Sequence, residues 1–130
     1  MVEAREILVG FLRKALAVKR ERLCAFASKQ KTQGRFLDEL CHRFGSYVEA
    51  SVVVPDLPDA AWSAPALAFV GHSEFGQPFT SMRAAWDAVD LHQGALVISA
   101  DGRYGVWCDH HLDHGNVCIA LRGPESRPSP

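Results

Sequence analysis

Between Ala4 and Gln30, in "AREILVGFLRKALAVKRERLCAFASKQ", apolar residues recur at spacings of three, four and seven: Leu8, Phe11, Leu12, Ala15, Leu16, Leu23, Phe26 and Ala27. That period predicts a long amphipathic helix with one buried face. The polar run Lys19–Arg22 interrupts the stripe and marks where a bend or break would fall. A second helix is expected over "KTQGRFLDELCHRFG". Thr32 would be its N-cap, Phe36, Leu40 and Phe44 one face, His42 and Arg43 its cationic C-terminal turn and Gly45 its stop. The short link between the two predicts an antiparallel helical pair.

The period then shortens. "SVVV" and "ALAFVG" read as short strands, separated by the proline-rich turn region "PDLPDAAWSAP". "HSEFGQP" reads as loop. Thr80 or Ser81 can cap a short helix whose buried face is Met82, Ala85, Trp86 and Val89. "ALVISADGRYGVW" is two apolar runs joined at Asp101-Gly102, a hairpin signal because such turns need a positive φ that glycine adopts freely. Val117, Ile119 and Leu121 alternate in one more strand. The fold class expected is α+β: an N-terminal antiparallel helical pair packed on a three- to five-stranded antiparallel sheet, with one short inserted helix. One domain would span residues 1–122, and the tail "GPESRPSP", 123–130, has the composition of disorder.

Composition sharpens the functional side. With 130 residues, 48% hydrophobic and 22% charged, the chain has the make-up of an ordinary globular domain. A net charge of −1 argues against a general nucleic-acid binder. No apolar run reaches the roughly 18–20 residues of a membrane span. Glu3, Arg5 and Glu6 before a short apolar run do not make a secretory signal. The expected compartment is the cytoplasm, with Cys24, Cys41, Cys108 and Cys118 reduced. Charge is segregated. Up to Phe44 there are ten Lys+Arg against five Asp+Glu, and from Gly45 onward four against ten.

The densest chemistry is "CDHHLDHGNVC". Cys108, His110, His114 and Cys118 are the ligand types of a tetrahedral zinc site, although their spacing fits no standard zinc pattern. Asp113, Gly115 and Asn116 are turn formers, so the simpler reading is a polar connection between two strands. "FVGHSEFG" resembles the nucleophile elbow of the α/β-hydrolases, but the closing glycine comes one residue late at Gly76 and Pro78 opposes the helix that should follow. Ser73 is therefore rejected as a nucleophile. No other catalytic template is present, and neither catalytic residues nor a cofactor are assigned.

These features point to a non-catalytic protein-binding domain. Bacterial immunity proteins, which neutralise a cognate toxin, are of this size and composition, a likeness of class rather than of motif. The partner would be another protein, such as a basic toxin domain, met by Asp56, Asp59 and Glu74, by Asp109, His111 and Asp113, and by Trp62 as aromatic anchor. The alternative is a small zinc-binding protein or metal-dependent enzyme built on Cys108, His110, His114 and Cys118.

Overall fold

In the computed structural model, which describes residues 4–32, 35–36, 47–70, 74–88, 95–108 and 116–121, the N-terminal stripe folds as two helices rather than one. Helix α1 is Ala4–Ala15 and α2 is Arg20–Ala27. Leu16 N donates to Leu12 O at 3.0 Å. Ala17 N then donates to Tyr47 O at 2.7 Å, and Glu49 N to Ala15 O at 2.7 Å, so the chain at 47–49 takes over hydrogen bonds the helix would have made. Lys19 adopts φ 59°, which turns the backbone back on itself. Arg20 closes the junction, its Nε and Nη2 donating to Leu16 O at 3.1 and 3.0 Å. The two helices run antiparallel: Arg5 Nη1 reaches Ala27 O at 3.1 Å, and Cys24 Sγ lies 3.9 Å from Val9 O.

The helical pair is thus formed inside the stretch expected to be one helix. The second predicted helix falls mostly outside the described residues. At its start the Thr32 hydroxyl donates to Phe26 O at 2.8 Å, beneath the end of α2, and the residues it was expected to cap lie outside the described ones. Arg35 and Phe36 are helical, and Phe36 is fully buried.

Among the described residues the sheet has six strands, all antiparallel: β1 (Val53–Val54), β2 (Ala66–Val70), β3 (Glu74–Phe79), β4 (Ala95–Ser99), β5 (Tyr104–Cys108) and β6 (Asn116–Ala120), in the order β1-β6-β5-β4-β2-β3. This corrects the expected three to five. The additional strand is β3, expected as loop because of Gly76 and Pro78. Both have a place there. The register shifts between Ala68 and Phe69, leaving Gly76 as the extra residue of a bulge at φ 89°, and Pro78 lies on an edge strand, where a missing N–H need not break a ladder. Two further short helices follow β1 and β3: α3 (Asp59–Trp62) inside the proline-rich region, and α4 (Met82–Ala88), whose Ala84 N–H is capped by Ser81 Oγ at 3.0 Å as the sequence predicts.

Both faces of the sheet are covered, which is why β2 and β4 read as continuous apolar runs. On one face Phe69, Leu96, Ile98, Trp107 and Ile119 pack against Leu8, Phe11, Leu12 and Leu23 of α1 and α2. On the other, Ala66, Ala68, Val97, Val106 and Cys118 pack against Leu57, Ala61, Met82 and Ala85 around α3 and α4. The β4–β5 hairpin closes on Gly102, at φ 75°, whose N–H donates to Ser99 O at 2.8 Å. Ser99, fully buried, donates through its hydroxyl to Asp101 Oδ1 and accepts from Tyr104 N. The expected hairpin is present, with only the glycine in the left-handed region.

Candidate functional site

The register of the sheet brings one set of strand ends together. Val70 pairs with Glu74, Phe69 with Leu96, Ala95 with Cys108, and Cys108 with Asn116. The end of β2, the starts of β3 and β4, the end of β5 and the start of β6 therefore lie at one end of the sheet. Strand β1 pairs Val53 with Ile119 and Val54 with Cys118, so the chain leaves it toward the same end, where Asp56 follows. By sequence His72, His92, His110, His111 and His114 belong to the links between these strand ends.

Of the residues expected to bind a partner, Asp56 and Glu74 lie at that end, on opposite edges of the sheet, whereas the helix that carries Asp59 and Trp62 leads toward the start of β2 at the other end. Asp56 is exposed, and its Oδ1 accepts the Leu57 N–H at 2.8 Å. Asp59, also exposed, begins α3. A carboxylate in the first turn of a helix is favoured by the unpaired N–H groups there. Trp62, one turn later, is half-buried against the layer formed by α3 and α4, and the Arg83 guanidinium lies 4.8 Å from its ring centroid. That stacking leaves Trp62 as part of the core wall with one edge toward solvent. Glu74 opens β3. Asp109, His111 and Asp113 lie outside the described residues, though the strands that flank them end here.

Of the residues named for zinc, His110 and His114 also lie outside the described residues. Cys108 stands at the end of β5, opposite Asn116, whereas Cys118 stands opposite Val106, two positions further along β6. Cys118 is buried among the residues under α3. Its thiol is pushed above the ordinary value by burial and then by the Asp56 carboxylate, against a hydrogen bond from the Leu57 backbone. Among the described residues, no three His, Cys, Asp or Glu side chains come together in a way that could hold a metal ion. No helix among them is long and apolar enough to cross a membrane.

A second feature lies in the basic N-terminal segment. Between α1 and α2 lies an open cleft of about 530 Å³, bordered by Arg13 on one helix and Arg20 on the other. It depends on the break at Lys19, which the hydrophobic stripe only hinted at. No protein-family model matches the chain, and no curated protein or solved structure matches it either.

Proposed function

We propose that this chain is a non-catalytic protein-recognition domain of the immunity type, which binds and neutralises a basic toxin domain in the bacterial cytoplasm. One observation carries the reading. Asp56 and Glu74, from distant parts of the sequence, stand at the sheet end where β5 stops and β6 starts, and Asp59 opens the helix that follows Asp56. On this reading the acidic groups along that end of the sheet meet the partner, and Trp62 contributes from the neighbouring helix layer. Acidic groups arranged in this way speed encounter with a basic cleft and disfavour wrong partners. Trp62, already held by Arg83, would give contact area at little further ordering.

The test is genetic. Deleting the gene in cells that express an adjacent toxin gene should arrest growth, and inactivating that toxin gene should restore it. Unimpaired growth with the toxin expressed contradicts the reading.

The second reading, a small zinc-binding protein or metal-dependent enzyme, draws its support from Cys108 at the same sheet end as the histidine-bearing links. Burial of Cys118 beneath α3 counts against the full four-residue set, because zinc takes the thiolate and burial favours the thiol. Metal analysis of untagged protein separates the two. One equivalent of zinc, lost in Cys108→Ala and His110→Ala, supports this second reading. Metal-free protein whose stability is unchanged by chelator contradicts it.

A further inference from the structure

The cleft between α1 and α2 lies across the sheet from α3, so it is a surface distinct from the acidic one proposed above. Val9 and Arg13 of α1 face Arg20, Glu21, Cys24 and Ala25 of α2 around a volume of about 530 Å³. That is the size of sites that hold a small ligand or a few side chains. The floor is apolar: Val9 is half-buried and Cys24 buried, and desolvation keeps the Cys24 thiol neutral despite Arg13 and Arg20. Arg13 and Arg20 both line the cleft, one from each helix. Arg20 is held in place by its two bonds to Leu16 O, and Arg13 is exposed. The surrounding segment, residues 4–32, carries eight Lys+Arg against two Asp+Glu.

We propose that this cleft binds an acidic segment of a partner protein, with a carboxylate between Arg13 and Arg20 and an apolar side chain on Val9, Cys24 and Ala25. The planar guanidinium fork of Arg13 suits a carboxylate, and Arg20, whose Nε and Nη2 are bound to Leu16 O, adds its charge and remaining N–H groups from the facing wall. The apolar floor calls for an apolar neighbour on the same ligand, which a free inorganic anion lacks. A nucleic acid fits less well. It offers no apolar side chain for the floor, and Glu21 in the wall opposes a run of phosphates more than a single carboxylate.

The probe is a fluorescein-labelled dodecapeptide of glutamate and leucine, titrated with the full chain and followed by anisotropy at low and at physiological salt. Saturable one-to-one binding is expected, weaker at the higher salt. Arg13→Glu should weaken it about tenfold or more. Ala25→Glu, an exposed helix position away from the core, should do the same by placing a competing carboxylate in the cleft, and it keeps the test sound if Arg13→Glu folds poorly. A lysine-leucine peptide should not bind. Absence of binding to the acidic peptide, or binding that Ala25→Glu leaves unchanged, overturns the proposal. Equal affinity for a thymidine dodecamer overturns the assignment to a protein ligand.

Discussion

Lys19 is the residue on which the N-terminal half turns. At φ 59° its Cβ crowds the following carbonyl, a strain of roughly 1–2 kcal/mol that glycine would not carry. The side chain makes no capping bond to α2. Part of the relief is returned as chain entropy in the unfolded state, so Lys19→Gly should raise stability by about 0.5–1 kcal/mol, read as a higher urea midpoint with unchanged slope. An unchanged or lower midpoint would show that the lysine is held there by something other than backbone geometry. The two buried thiols act in the opposite sense as the solution becomes alkaline. Cys24 and Cys118 both have pKa values raised by burial above the ordinary 9.0. Their contribution is complete below that value and is lost as pH rises through the folded-state pKa, because the unfolded chain gives up its protons first. Stability should therefore begin to fall above about pH 9. Asp56→Asn should lower the pH at which Cys118 is alkylated, as mass spectrometry of single sites would show.

Among the elements, α1 and β5 approach closely. A Cβ on Gly105 would overlap the Phe11 ring, which is itself fully buried between helix and sheet. Gly105→Ala should destabilise by about 3 kcal/mol, seen as a drop in Tm, and Phe11→Leu in the same chain should recover part of it. No recovery would mean that the overlap is not what the glycine avoids. The same elements show what the sequence disclosed and what it did not. Period and capping residues were enough for α1, α4, the β4–β5 hairpin and β6, because each rests on contacts within a few residues: the Leu8–Leu12 stripe, Ser81, Gly102. The junction at Lys19 and strand β3 were harder. The first is set by hydrogen bonds to Tyr47 and Glu49, far along the chain. The second is an edge strand that tolerates a bulged glycine and a proline. That Asp56 and Glu74 fall at the same end of the sheet was not visible in the sequence, since it depends on strand pairing and on the order β1-β6-β5-β4-β2-β3.

For the molecule as a whole, the segregation of charge along the sequence becomes segregation in space. The basic segment 4–32 forms the α1–α2 layer on one face of the sheet. The carboxylates Asp56, Asp59 and Asp87 belong to the layer of α3 and α4 on the other, or to the sheet end beside it. Under the proposed recognition role, that separation of charge would let the two faces steer partners of opposite sign. The most direct test is the mass of the native complex. The chain should be purified from its source cells and weighed by light scattering after gel filtration, alongside the double reversal Asp56→Lys/Asp59→Lys. A stoichiometric complex with a basic protein is expected for the native chain, and the mass of the chain alone for the reversal. A native chain that elutes without a partner even at low salt, or a complex that survives the reversal intact, would contradict a recognition role for the acidic sheet end.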